Sequence, residues 1–221
     1  MNLDGTVVQQ SPKAGDLAVF YQSVTDTWIS GIPYGVNIKI ASQDDATQAT
    51  LIELPELVVD RLILEATAQD VQLNSTESII VQGNLITNSS GAGSAIISAD
   101  QITIVADVNL GQTIFDVDQV TFEAVGNQVI NLDGAVSTRG HIDIISGSDV
   151  VTTIQLNGNM LELTEGTLRL QIPDDTQNSQ LNFAAESAVI KVRDLELVTG
   201  VGTSNSMIEL IGSNLEVTGN V

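Results

Sequence analysis

Residues 102–106 read ITIVA, a phrase that alternates hydrophobic side chains with others and ends on a small residue. Alternation with a period of two residues is typical of a β-strand that has one buried face. Short strands that recur roughly every twenty residues, with Gly, Asn, Asp and Ser between them, predict a coiled stack of strands. Close variants of the phrase return at 62–66 (LILEA), 120–124 (VTFEA), 142–146 (IDIIS), 195–199 (LELVT) and 215–219 (LEVTG).

The rest of the chain after residue 60 supports the same fold. Only 3% of the 221 residues are aromatic, and the apolar side chains are mostly Val, Ile and Leu, which suits a narrow interior of stacked aliphatic residues. We therefore predict an all-β protein whose body is a right-handed β-helix or solenoid. Further strands are predicted at 79–81, 96–97, 114–115, 129–132, 154–156, 161–163, 168–170, 181–183, 189–192 and 208–210.

The intervals between phrases vary, which leaves two other arrangements open. An antiparallel β-sandwich or jelly roll also contains many short alternating strands. Alternatively, three chains intertwine so that each turn of the helix is shared. Pro173 and the two aspartates after it predict a longer excursion at one corner of the stack.

The first part of the chain is less regular. Residues 1–40 contain four of the seven aromatic residues, and the stretch Gly15–Tyr21 predicts a turn and a strand. Thr27–Ser30 predicts the return strand of a small hairpin, with Ser23–Asp26 as its loop. We divide the chain into an N-terminal attachment segment (1–40), a transition (41–60) and a β-helical body (61–221).

The charge of the chain disfavours two classes of partner. Twenty-eight acidic residues against seven basic ones give a formal charge of −21, and the basic residues are scattered singly. Nucleic acids and anionic membranes require clustered Lys and Arg, so we expect neither as a partner. We interpret the acidity as a means of solubility and of protecting strand edges from aggregation, and the alternative interpretation is a specific cation site. The sequence begins without a secretory signal, which predicts synthesis in the cytoplasm.

The residues offer little material for catalysis or metal binding. There is no cysteine, which excludes a thiolate zinc site. The only histidine, His141, is the one histidine that could act as a base to activate a nucleophile. Paired carboxylates suited to glycoside hydrolysis are Asp116 with Asp118, Glu162 with Glu165, and Asp174 with Asp175. The chain has no calcium-loop motif. We predict no enzyme activity, no catalytic residue, no cofactor and no metal.

The aromatic cluster of the N-terminal segment has two interpretations. It is either the small core of the hairpin or a docking surface, since Trp and Tyr are enriched at interfaces. Its members are Phe20, Tyr21, Trp28 and Tyr34.

Two stretches resemble known structural proteins. The phrase GDLAVF at 15–20, followed by TDTWI at 25–29, resembles the start of trimeric β-structures in bacteriophage tail fibres and related virion surface proteins. The body, with ISADQITI at 97–104, is similar to the β-solenoids of phage spikes and of large secreted bacterial adhesins.

The resemblance implies a homotrimer with a structural role on a virus particle. The expected function is a capsid decoration (cement) protein or a short tail-fibre component in the virion. It would dock on a major capsid or tail protein through its N-terminal segment. The alternatives are a β-solenoid segment of a secreted adhesin and a tailspike that binds or cleaves carbohydrate.

Overall fold

The computed structural model describes residues 2–3, 15, 17–20, 24–25, 36–42, 49–174, 177–184, 187–201, 205–211 and 214–221. Its described residues contain strands and connecting turns but no helix, and every strand pair is parallel. The strands form two sheets that the chain visits in alternation, which makes a β-solenoid of about seven turns. The predicted all-β solenoid is therefore confirmed, while the predicted right hand and the trimer stay predictions.

Ten strands of the described chain form the first sheet. In spatial order they are β1 (Asn2–Leu3), β2 (Leu17–Phe20), β4 (Asn37–Ala41), β7 (Arg61–Ala66), β10 (Leu85–Ser89), β12 (Val108–Leu110), β14 (Gln128–Leu132), β17 (Val151–Gln155), β19 (Gln180–Ala184) and β21 (Met207–Ile211).

Twelve of the described strands form the second sheet, which bends in the middle, so some turns contribute two short strands and others one long strand. They are β3 (Val24–Thr25), β5 (Thr50–Leu54), β6 (Leu57–Val59), β8 (Val71–Ser75), β9 (Ser78–Val81), β11 (Ala95–Ile104), β13 (Thr113–Ala124), β15 (Val136–Thr138), β16 (His141–Ser146), β18 (Met160–Ile172), β20 (Val189–Thr199) and β22 (Asn214–Val217).

The parallel pairing excludes the alternative of a β-sandwich or jelly roll, which is built from antiparallel strands. The strands predicted after residue 60 are confirmed, although Leu156 lies just beyond β17 and the phrases at 102–106 and 215–219 extend two residues past the ends of β11 and β22. The varying interval between phrases is explained by the corners. Val108 pairs with Ile130, 22 residues later, whereas Val151 pairs with Gln180, 29 residues later, after the excursion that follows Pro173.

The interior is a set of aliphatic columns, because inward residues of successive turns are partners in register. In one column of the first sheet, the inward side chains of six successive turns are almost fully buried: Leu62, Leu85, Val108, Ile130, Ile154 and Phe183. Burying such side chains contributes about 1.5–3 kcal/mol each, and this term drives the stacking.

Small residues shape the corners and the bend. Thr87 and Thr113 share a hydrogen bond of 2.6 Å between their hydroxyl groups, which satisfies two buried polar atoms at a corner. Asn157 and Gly158 take positive φ values of 50° and 77°, which Gly and Asn tolerate best. At the bend of the second sheet, Gly140 and Gly166 stack so closely that a Cβ atom on either would overlap the neighbouring turn's backbone.

The N-terminal segment is described only in part. β2 pairs in parallel with β1 and β4, and Val24 and Thr25, which we predicted as loop, form β3 and pair in parallel with β5. The predicted return strand, Thr27–Ser30, lies outside the described residues. Residues 37–59 already supply strands to both sheets, and the domain boundaries at 40 and 60 stay predictions.

Candidate functional site

The outer surface of the second sheet contains a ladder of polar side chains that spans successive turns. Thr121, Asp143, Arg169 and Glu196 are consecutive partners in register. Arg169 bridges two acids, with its Nη1 3.5 Å from Asp143 Oδ2 and its Nε 2.7 Å from Glu196 Oε2. Gln119 also donates to Asp143 Oδ2 at 2.9 Å. This group, which we call the charge ladder, comprises Gln119, Asp143, Arg169 and Glu196.

Asp143 is the buried charge of the ladder, and its partners compensate for the loss of water. The hydrogen bond to Glu196 and the charges of Asp143 and Glu196 raise the pKa of Arg169 above its ordinary value, while burial acts in the opposite direction. Arg169 therefore stays charged at any physiological pH. An Arg held between two carboxylates suits the role of a clamp between turns.

A second polar ladder lies on the outer surface of the first sheet. Asn131 donates to Asn109 Oδ1 at 3.1 Å and to Asp133 Oδ1 at 3.0 Å, and Asn157 of the next turn donates to Asn131 Oδ1. Asn159 donates to the carbonyl of Leu132 at 2.8 Å. We call Asn109, Asn131 and Asn157 the amide ladder. Like the charge ladder, it joins turns of the solenoid to one another.

His141 lies at the start of β16 and is exposed. Its Nδ1 accepts a hydrogen bond of 3.1 Å from the backbone N–H of Thr167, one turn away, rather than from a hydroxyl group. The side chain thus supports the contact between β16 and β18.

Several of the predicted carboxylates in the described part of the chain contact residues of a neighbouring turn. Asp116 forms an exposed ion pair of 2.6 Å with Arg139, and Asp118 is exposed at the bend. Glu162 lies beside Lys191, and Glu165 lies in an irregular part of β18 where the register shifts. Asp174 Oδ1 accepts a hydrogen bond of 2.7 Å from the N–H of Val201. Asp175 lies outside the described residues.

Two shallow concavities lie elsewhere on the surface. One of about 430 Å³ is lined by residues 53–55 and 74–76, and another of about 470 Å³ by Gln155, Asn157, Gly158, Ala184 and Ser187. None of the predicted carboxylate pairs lines either of these two. In the described part of the chain, no group of three or more His, Cys, Asp or Glu side chains is arranged to hold a metal ion. The described residues also include no helix long and apolar enough to span a bilayer.

The structure does not test the aromatic docking surface. Phe20 ends β2, but its side chain is not among those described, and Tyr21, Trp28 and Tyr34 lie outside the described residues. Their role stays a prediction.

Sequence reasoning missed both ladders, although a signal for them exists. Asn109, Asn131 and Asn157 are 22 and 26 residues apart, and Asp143, Arg169 and Glu196 are 26 and 27 apart. These intervals match the length of one turn, except that Asn157 lies two residues beyond Gln155, the register partner of Asn131. A search for polar residues that recur at about the interval between phrases would have indicated both groups, and the alternating charge of Asp143, Arg169 and Glu196 is a further signal for the charge ladder.

The fold is compatible with a structural or adhesin-like protein. No protein-family model, no curated protein and no solved structure matches this chain.

Proposed function

We propose that this chain is a non-enzymatic structural protein of a virus particle, either a capsid decoration protein or a short tail-fibre component. It forms a homotrimer and docks on a major capsid or tail protein through its N-terminal segment. The solenoid body projects from the particle. Nucleic acids and membranes are not its partners, since its seven basic residues are scattered over an acidic chain.

The observation that carries this proposal is that side chains on both faces of the sheets join successive turns of the solenoid. Inward residues form aliphatic columns, and many outward polar residues bind one another across turns, as in the charge ladder and the amide ladder. Each turn of such a fold contacts its neighbours along one axis, which produces a rod. A rod with an acidic surface suits projection and spacing.

The first experiment is the solution mass by size-exclusion chromatography with light scattering. A mass near three times 23.3 kDa that persists on dilution supports the homotrimer. A monomer of 23.3 kDa contradicts it and favours the second candidate, a solenoid segment of a secreted adhesin. That candidate is supported by the same rod and by the resemblance of residues 97–104 to adhesin repeats.

The docking assignment is tested separately in the full chain. The double variant Trp28→Ala with Tyr34→Ala is expected to lose binding to particles, measured by co-sedimentation and immunogold electron microscopy, while its circular dichroism is unchanged. Val125→Ala removes an exposed apolar side chain of the body and is the matched control. Equal particle binding by the double variant and the control would show that the aromatic cluster does not dock.

A further inference from the structure

The turn that follows β17 contains the only Asn-Gly pair of the sequence, Asn157 with Gly158. Both residues are exposed, and their φ values of 50° and 77° place them in the left-handed region. Asparagine is one of the chemically labile residues of proteins. It is most labile before glycine, because a glycine has no Cβ to shield its backbone nitrogen and its backbone rotates freely. The turn therefore carries the most reactive asparagine sequence of the chain.

The backbone nitrogen of Gly158 is open to reaction. None of the described residues accepts a hydrogen bond from its N–H, and a Cβ atom built on Gly158 meets no atom within 4 Å. Asn178 provides a contrast, because it is also exposed and also has a φ of 50°. The residue after it, Ser179, donates its backbone N–H to Ser206 Oγ at 3.2 Å. The structure as well as the sequence thus distinguishes Asn157 from an asparagine in the same backbone conformation.

We propose that Asn157 is a site of spontaneous deamidation and that the amide ladder sets its rate. Asn157 Nδ2 donates to Asn131 Oδ1, to the carbonyl of Leu132 at 3.4 Å and to Asp133 Oδ1 at 3.3 Å. The side-chain amide leaves these acceptors when its Cγ turns toward the nitrogen of Gly158. Each hydrogen bond of the ladder therefore slows the reaction. This inference is independent of the proposed virion role.

The reaction requires only water. The backbone nitrogen of Gly158 gives its proton to solvent and forms a bond to Cγ of Asn157. The bond between Cγ and Nδ2 breaks, and the nitrogen leaves as ammonia after taking a proton from water. Water then adds to either carbonyl carbon of the cyclic imide and opens the ring, which yields aspartate or isoaspartate. No atom is oxidised or reduced.

Either product disconnects the amide ladder. A carboxylate has no N–H to donate to Asn131 Oδ1, and it places a negative charge beside Asp133. Isoaspartate also routes the main chain through the side-chain carbon, which lengthens a turn closed by the hydrogen bond of 2.8 Å from Asn159 N–H to the carbonyl of Leu156. Deamidation thus acts as an irreversible switch that loosens one turn of the solenoid from the next.

The test incubates the folded full chain in mildly alkaline water enriched in heavy oxygen, which labels each imide that hydrolyses. Peptide mass spectrometry after digestion in acid, where the reaction is suppressed, gives the rate at each asparagine. We expect Asn157 to convert faster than Asn178 in the same sample. Asn131→Ala is expected to raise the rate at Asn157 about two- to tenfold, the factor that one hydrogen bond supplies. Thr153→Ala, outside the ladder, is expected to leave it unchanged.

The product is tested with an aspartate variant. Asn157→Asp is expected to unfold at a lower urea concentration than Asn127→Asp, and its amides in β14 and β17 are expected to exchange faster. Asn127→Asp is the charge-matched control, because Asn127 Oδ1 accepts a hydrogen bond of 2.9 Å from the N–H of Val151, and an aspartate keeps that contact.

Three results overturn the inference. The first is that Asn157 converts no faster than Asn178 in the unmodified protein. The second is that Asn131→Ala, folded by circular dichroism, leaves the rate at Asn157 unchanged. If that variant is unfolded, Asp133→Ala takes its place, because it removes another acceptor of the same amide. The third is that the two aspartate variants are equally stable.

Discussion

Replacing Gly166 with Ala tests the closeness of the turns at the bend of the second sheet. A Cβ atom on Gly166 would overlap the backbone carbonyl of Gly140 in the preceding turn, well inside the 3.0 Å approach that Cβ atoms normally keep. The backbone of one turn must move, and the moved atoms are main chain, which cannot rotate away as a flexible side chain does. The register shift of β18 between Leu163 and Thr167 is where this close approach occurs.

The expected loss is about 3 kcal/mol in the free energy of unfolding. Overpacking of an interior costs about 1–3 kcal/mol, and one or two ladder hydrogen bonds lost beside it cost about 1 kcal/mol each. The reduced freedom of the unfolded chain on changing Gly to Ala offsets about 0.4–1 kcal/mol of that. The matched control is Gly126→Ala, because a Cβ atom there meets no atom within 4 Å. Its stability is expected to be unchanged or higher by less than about 1 kcal/mol.

The measurement is urea denaturation followed by circular dichroism, with linear extrapolation to water. Because a stack of turns can open locally, amide exchange of β16 and β18 is recorded for both variants. Faster exchange in these two strands for Gly166→Ala, but not for Gly126→Ala, is the expected result. Equal unfolding midpoints and equal exchange for the two variants would refute the close contact between the turns.

Three further changes test the ladders and the core, each by urea denaturation. Arg169→Met should cost about 1–2 kcal/mol, because it leaves the buried Asp143 without its cation. The control Arg139→Met, at an exposed ion pair, should cost less than about 0.5 kcal/mol. Equal losses would contradict the role of Arg169 as a clamp between turns. Asn131→Ala should cost about 1–2 kcal/mol, because the amide of Asn131 makes three hydrogen bonds. The control is Thr153→Ala on the neighbouring strand. A loss no greater than that of the control would contradict a stabilising role for the amide ladder. Phe183→Ala should cost about 3–5 kcal/mol by opening a cavity in the column, and a loss under about 1 kcal/mol would show that the site is not packed.

Much of the fold could be predicted because the strands carry a local signal. Alternation in phrases such as 142–146 is set by which face of a strand is buried, and the structure buries Ile142 and Ile144 as that alternation requires. Glycines and asparagines between the phrases predicted the corners, and Asn157 with Gly158 forms one of them. The same local signal could not separate a solenoid from a sandwich, because alternation does not record the direction of the neighbouring strand.

The candidate sites were less predictable, because they depend on register. Asp116 and Asp118 are close in sequence and share an outer face, yet the partner that Asp116 finds is Arg139, from the next turn. His141 was singled out as the sole histidine, and its bond to Thr167 is visible only once β16 and β18 are aligned. Proximity along the chain is a poor guide where each contact joins residues more than twenty positions apart.

The sequence by itself determined that the chain is built of short strands with aliphatic inward faces and polar corners, since these properties follow from local alternation and turn chemistry. Only the tertiary structure decided the parallel pairing and the register that assembles the charge and amide ladders. The physical reason is that these features arise between turns. Asp143 and Arg169 are far apart along the chain, and only the alignment of neighbouring turns brings their charges together.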